Sequence, residues 1–338
     1  MPSFLVVRLG ALGDIVHALP LAAALRARWP DALVDWIVES RHRALLDLVT
    51  GLDAVVTFDS RAVATSDGWI GAARRLRPRH YDVVFDAQGL IKSAAVARAA
   101  GGTRTVGFAR EHLREPLARA FYSDVVAPAG ATHVVQKNLS LLQAVGLAAG
   151  RPVFPLRDDP PVPGLKAAID AVGRPFAVIN PGGGWPNKRW PAERLGMVSA
   201  ALMERHRMPS LVLWGPGDRA LADEVVAASH GAARLAPQTT LADVVALLRA
   251  ASLLVSGDTG PLHLAGAVGT PIVAIFGPTN PARNGPWDGS DISLSRFGDC
   301  VCHYQRRCRR VRGCIEDITV DDVRGAIDRR LAAPEHDA

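Results

Sequence analysis

The feature that most constrains this chain is an alternation carried along most of its length. A short apolar run rich in β-branched residues is followed by an Ala/Leu-rich stretch with helical periodicity, and then by another apolar run. In the first half, Phe4–Arg8, Leu33–Val38, Ala54–Phe58 and Val83–Asp86 read as strands. Ile15–Arg28, Arg43–Val49, Trp69–Leu76 and Ser93–Ala100 read as helices between them, with Leu19, Ala22, Ala23 and Leu25 on one side of the first. Strands that are apolar throughout are buried on both faces, so the pattern predicts parallel sheets covered by helices and joined by right-handed crossovers.

The alternation pauses and then restarts. Ala127–Gly130 reads as a loop and His133–Val145 as a helix. The stretch from Gly146 to Pro175 is rich in Gly, Pro and Asp, with one short helix over Leu165–Val172. Phe176–Asn180, Ser210–Trp214, Leu253–Ser256 and Ile272–Phe276 are then predicted strands, alternating with helices at Pro191–Arg205, Ala220–Ala228, Leu241–Ala250 and Leu262–Val268. Val320–Leu331 closes the chain as a helix. The 338 residues exceed one ordinary core. The expectation is an α/β protein of two Rossmann-like, doubly wound domains: 1–150, a linker at 151–175, 176–320, and a C-terminal helix and tail at 321–338.

With 49% apolar and 21% charged residues, the composition is that of a globular chain. The net charge of +6 suits ordinary solubility and also attraction to an anionic partner: a nucleotide, a phosphorylated lipid or a membrane face. Arginines cluster at 74–79 and 306–310, but without the interleaved aromatics of single-strand binders, so nucleic acid is not an expected partner. No apolar run reaches the length of a signal h-region or a spanning helix, which predicts a soluble, cytoplasmic protein. The four cysteines, Cys300, Cys302, Cys308 and Cys314, lie close together with a C-x-C-x5-C-x5-C spacing that matches no common zinc finger. A metal or disulfide role stands beside four unconnected thiols, and catalysis is not expected there.

In doubly wound sheets, ligands bind beyond the carboxyl ends of strands. Four loops in that position carry chemistry. Leu9–His17 holds Gly10, Gly13 and Asp14; Asp14 reads as a helix N-cap or as a carboxylate acting as general base. Asn180–Pro191 holds Gly182, Gly183 and Gly184 followed by Lys188 and Arg189, a loop suited to an anion. Gly215–Ala220 fits G-x-G-x-x-A, the dinucleotide fingerprint, without the acid expected about 20 residues on; a simpler reading is a turn lining a base or ribose, with Asp218 as acceptor. Ser256–Ala265 ends a strand with Asp258 and Thr259, and Gly260 opens a helix whose N-terminus could hold a diphosphate. His263 either reaches the same pocket or packs.

Taken together, these loops resemble glycosyltransferase family 9, the heptosyltransferases that build the inner core of lipopolysaccharide. The likeness rests on Arg8–Pro20, Asn180–Pro191, Gly257–Ala265 and Phe276–Pro281. Tyr81–Ala95, Arg114-Glu115-Pro116 and Phe121-Tyr122 resemble members of the heptosyltransferase I type in particular. The resemblance implies a GT-B fold of two facing Rossmann-like domains, with acceptor on the first and donor on the second. It implies transfer of heptose from ADP-L-glycero-D-manno-heptose to a Kdo residue of a Kdo-lipid A type acceptor at the inner-membrane surface. Inversion at the anomeric carbon, with no cofactor and no essential metal, is also implied. By the same resemblance, Asp14 is the catalytic base, and Gly13, Lys188, Asp258, Thr259, Gly260 and His263 bind substrate. Asp218 stands where the family carries a nucleotide-contacting Glu. Gly182–Gly184 replaces the Thr-rich loop of some members, and Arg74 and Arg75 only loosely match a basic acceptor segment. Three alternatives remain open: a relative using another sugar or acceptor, a nucleotide-sugar binder without turnover, and an NAD-type oxidoreductase or epimerase suggested by Gly215-Pro216-Gly217.

Overall fold

A computed structural model describes residues 1–62 and 68–333. The chain divides into two compact units, Met1–Arg157 and Asp158–Ala338. The first is built on six parallel strands: β1 (Ser3–Val7), β2 (Leu33–Glu39), β3 (Ala54–Phe58), β4 (Val83–Asp86), β5 (Arg104–Phe108) and β6 (Asp124–Val126). They lie in the order β3-β2-β1-β4-β5-β6. The second unit carries β7 (Ala177–Asn180), β8 (Ser210–Val212), β9 (Ala233–Leu235), β10 (Leu253–Gly257), β11 (Ile272–Phe276) and β12 (Ile292–Ser295), in the order β12-β11-β10-β7-β8-β9. Counted from the first strand of each unit, the two orders are the same.

That order creates one switch point per sheet, between β1 and β4 and between β7 and β10, where the chain reverses the direction in which it adds strands. Crossovers diverge there and leave a crevice at the carboxyl ends. Most strands that the apolar runs predicted are central and covered on both faces: Leu5, Val6 and Val7 are fully buried, as are Val255 and Ile272. The interior strand β5 and the edge strands β6, β9 and β12 escaped that reading, while the edge strand β3 did not. The strands that escaped are short or interrupted by Arg, Asp and Ser, and β12 is only half-buried along its length.

The helix expected over Ile15–Arg28 is two helices, Leu12–Val16 and Leu19–Arg28. Pro20 sits in the first turn of the second, where its missing N–H costs nothing but ends the preceding run. The stretch expected as a linker is divided between the units. Thr50 donates its N–H to the Pro155 carbonyl at 2.8 Å, and Arg157 donates to the Leu48 carbonyl at 2.8 Å, within the first unit. The helix Pro163–Val172 buries Leu165 and Ile169 and packs against the helix Leu241–Ala250 of the second.

The closing helix, Val320–Ala332, belongs to the second core through Val323, Ala326 and Ile327. Arg330 Nε meets Asp291 Oδ1 at 2.9 Å with both side chains buried, and the same oxygen accepts from the Ile272 N–H at 2.8 Å. Among the described residues, no helix is long and apolar enough to cross a membrane.

Candidate functional site

At the carboxyl end of the first sheet, Arg8 follows β1 and is buried. Its Nη1 donates to the Ala87 carbonyl just past β4, and its Nη2 pairs with Asp14 Oδ1 at 2.9 Å. Gln88 Oε1 accepts from the Leu9 N–H at 2.8 Å. The two loops flanking the switch point are therefore stitched together by Arg8 and Gln88. Asp14 is not the N-cap. Ala11 holds that position, and Asp14 is the third helical residue, whose Oδ2 accepts from the Ala11 N–H at 3.3 Å. Its side chain keeps 38% exposure, so the carboxylate is oriented by Arg8 and by its own turn yet open to a ligand. Gly13 is the second helical residue, and its carbonyl accepts from the His17 N–H.

Two further acids stand at this edge. Glu39 ends β2 and is held by Lys92 Nζ at 2.6 Å and Arg41 Nη2 at 2.8 Å. Burial opposes its ionisation, but Lys92 and Arg41 win and hold the carboxyl below the usual range. Asp86 ends β4 and is fully buried. It accepts from Tyr122 Oη at 2.7 Å, Ser93 Oγ at 2.9 Å and the N–H groups of Gln88 and Gly89. Burial raises its pKa despite those four donors, which suits a carboxyl fastening a turn more than one meeting solvent.

The second sheet presents the opposite chemistry. Past β10, Asp258 is 3% exposed, and its two oxygens are claimed by four side chains. Oδ2 takes Lys188 Nζ at 2.6 Å and Thr279 Oγ1 at 2.7 Å. Oδ1 takes Asn284 Nδ2 at 3.0 Å and His263 Nε2 at 3.3 Å. Burial works against the charge, but the bonds and charges of His263 and Lys188 overcome it and hold the carboxyl far below the ordinary carboxylate range. Lys188 is fixed from a second side, its Nζ 4.6 Å from the centre of the Trp185 ring.

Thr259 is the N-cap of the helix Gly260–Val268, yet it makes no side-chain cap bond. Its Oγ1 instead accepts from Asn180 Nδ2 at 2.9 Å, and the same amide donates to Ser256 Oγ at 2.8 Å. The first turn of this helix thus has no side-chain cap from Thr259, and its N–H groups stand beside a fixed ammonium, an arrangement able to receive an anion. The backbone is close-fitting here: a Cβ on Gly257 would stand 2.6 Å from the Lys188 carbonyl oxygen, so only glycine lets the loop bearing Lys188 cross β10.

The structure gathers Lys188, Asp258, Thr259, Gly260 and His263 at one switch point. Asp218, which precedes the helix Arg219–Ala228, reaches the same region through Arg189, 3.4 Å away, and lies where a Cβ on Gly182 would clash. Its loop follows β8, the second strand of its half, not the first. The dinucleotide fingerprint at Gly215–Ala220 is therefore off the switch point, where no pyrophosphate crevice forms, and the NAD-type reading loses its support. Sequence reasoning missed Arg8, Asn284 and the Glu39–Lys92 pair. Arg8 had a signal, since it breaks the apolar run at a strand's carboxyl end.

Comparison with known proteins identifies the relatives of this chain. Residues 69–311 match glycosyltransferase family 9 (heptosyltransferase). The lipopolysaccharide heptosyltransferase 1 of Pseudomonas aeruginosa is 30% identical over 315 residues, 90% of this chain and 86% of its own length. The lipopolysaccharide heptosyltransferase 3 of Escherichia coli K12 is 24% identical over 94% of this chain and 95% of its own. Among solved structures, the E. coli heptosyltransferase WaaC with ADP superposes with a TM-score of 0.79 at 22% identity, covering 98% of this chain and all of that one. The likeness shows that the fold is GT-B.

Proposed function

Since the chain belongs to glycosyltransferase family 9, we propose that it is a lipopolysaccharide heptosyltransferase, taking heptose from ADP-L-glycero-D-manno-heptose and giving it to a Kdo residue of the inner core with inversion. The observation that carries this reading is the uncapped helix N-terminus at Gly260 beside the fixed ammonium of Lys188. That pairing suits the diphosphate of a nucleotide sugar, which gains negative charge as the glycosidic bond breaks.

In the mechanism, Asp14 takes the proton of the acceptor hydroxyl. The oxygen forms a bond to the anomeric carbon as the bond to the β-phosphate oxygen breaks, and ADP leaves with the electron pair. Lys188 and the N–H groups at the start of the Gly260–Val268 helix stabilise it. Asp258 does not meet the donor in this scheme; with both oxygens already engaged, it holds Lys188 and His263 in place. Asp218 and Arg189 border the donor loop on the nucleoside side. A positive charge on Lys188 replaces the divalent ion that some glycosyltransferases use on the diphosphate.

The acceptor assignment is supported by the higher identity to a heptosyltransferase 1 than to a heptosyltransferase 3. The exposed Val301, Tyr304 and Val311 among Arg306, Arg307, Arg309 and Arg312 favour contact with an anionic membrane face, where such an acceptor resides. The test is to incubate the purified protein with ADP-heptose and either Kdo-lipid A or an already heptosylated core, following ADP release. ADP release with Kdo-lipid A, inverted configuration in the product and no gain from added Mg²⁺ are expected. Release only with the heptosylated core would move the enzyme to a later step of core assembly.

A further inference from the structure

The four cysteines remain outside the transfer chemistry, and their geometry is specific. Cys300, Cys302 and Cys314 are buried, and their three Sγ atoms lie within 4.8 Å of one another. Cys300 Sγ and Cys302 Sγ are 3.4 Å apart, far longer than the roughly 2.05 Å of a disulfide, and all four residues are free thiols. Cys308 packs against the other three. Tetrahedral thiolates around one ion with metal–sulfur bonds of about 2.3 Å stand about 3.8 Å apart, a spacing that falls between the 3.4 Å of Cys300 and Cys302 and the 4.8 Å limit that encloses the three buried sulfurs.

Two donors reach the sulfurs. The backbone N–H of Cys302 donates to Cys300 Sγ at 3.4 Å, and Asn187 Nδ2 approaches Cys302 Sγ at 3.9 Å. Arg306, Arg307, Arg309, Arg310 and Arg312 crowd the same loop. We propose that Cys300, Cys302, Cys308 and Cys314 bind a single divalent ion, Zn²⁺ or Fe²⁺, as a structural tetrathiolate site. Binding converts four thiols and M²⁺ to M(Cys-S)₄²⁻ with release of four protons. Soft thiolate donors select these ions over Mg²⁺ or Ca²⁺. A tetrathiolate site is closed, with no open position for substrate, so it is separate from the transfer step.

Its reach into the donor region is direct. Asn187 also donates to the Gln305 carbonyl at 2.8 Å, and it precedes Lys188 in a 3-10 turn. Tyr304 donates its N–H to the Pro278 carbonyl at 3.0 Å, one residue before the Thr279 that bonds Asp258. The knot thus braces both loops that hold Lys188 and Asp258, and Asn187 is a positioning residue between them.

The test is metal analysis of the untagged full chain, independent of any assay of transfer. About one Zn or Fe per chain is expected, lost in Cys302→Ser and Cys314→Ser, and weakened about 10- to 100-fold in affinity by Asn187→Ala. The ratio of the two elements decides which ion resides there. Should the serine variants fail to fold, Co²⁺ loading of the wild-type chain serves instead: intense visible bands with a sulfur-to-cobalt charge-transfer band support a tetrathiolate. A pale octahedral spectrum, a metal-free chain whose four thiols all react without denaturant, a disulfide, or an ion retained in Cys302→Ser would each overturn the proposal.

Discussion

The helices that open at the two switch points invite comparison. Leu12–Val16 follows β1, and Gly260–Val268 follows β10. In the first, the helix supplies its own anion: Asp14 folds back onto the Ala11 N–H, and Arg8 balances it. In the second, the Thr259 hydroxyl accepts from Asn180, Pro261 brings no donor, and the end stays uncapped beside Lys188. One strand order thus yields two sites of opposite polarity. A carboxylate-bearing end suits a hydroxyl that must lose a proton, and a donor-bearing end suits a leaving diphosphate. What differs between them is a few side chains, not topology.

The sharpest way to break the comparison is to neutralise the first end. Asp14→Asn keeps the shape and the contact to the Ala11 N–H but cannot accept a proton. Transfer should fall by about 10²- to 10⁴-fold while ADP affinity is nearly unchanged, read from turnover and calorimetry with ADP. Turnover equal to wild type would remove Asp14 from the base role and leave it a helix residue.

At the second end the expected loss is in stability. Asp258→Asn leaves the half-buried ammonium of Lys188 without its counter-charge, a change worth up to about 3 kcal/mol by denaturant unfolding. The pH dependence follows the same logic. The carboxyl is held far below its unfolded value, so its contribution is complete at neutral pH and is lost as pH falls below about 4 toward the folded pKa. Wild type should lose stability in acid more steeply than Asp258→Asn; parallel acid limbs would mean that the pair contributes nothing. Lys188→Ala comes next. Losing a charge-assisted contact of about 1.5–3 kcal/mol should weaken ADP binding about 10- to 100-fold and slow turnover with it.

How much of this was legible in the sequence follows from what periodicity reports. It senses burial, so β1, β2, β4, β7, β10 and β11 stood out, while β6 (Asp-Val-Val) and β9 (Ala-Arg-Leu), at the sheet edges, did not. The loops could be ranked because Gly, Lys and Asp after a strand carry a physical meaning. Contacts made across long sequence separations left no such mark. Asn284 is 26 residues from Asp258, and Lys92 is 53 from Glu39. Nothing local told that Thr259 would spend its hydroxyl on Asn180.

That last point gives the finest test, because the second unit holds a control. Thr240 also begins a helix, and it caps: its Oγ1 accepts from the Asp243 N–H at 3.2 Å, while Asp243 Oδ2 returns to the Thr240 N–H at 2.9 Å. Replacing a working cap by alanine costs about 1 kcal/mol. Thr240→Ala should therefore lower the melting temperature and leave ADP affinity alone. Thr259→Ala removes no cap bond, so its stability loss should be the smaller of the two. It should still weaken ADP binding, because Asn180 then no longer holds the mouth of the open helix in place. If Thr259→Ala costs more stability than Thr240→Ala and leaves ADP binding intact, then Thr259 is an ordinary structural residue, and the open end at Gly260 is not what receives the diphosphate.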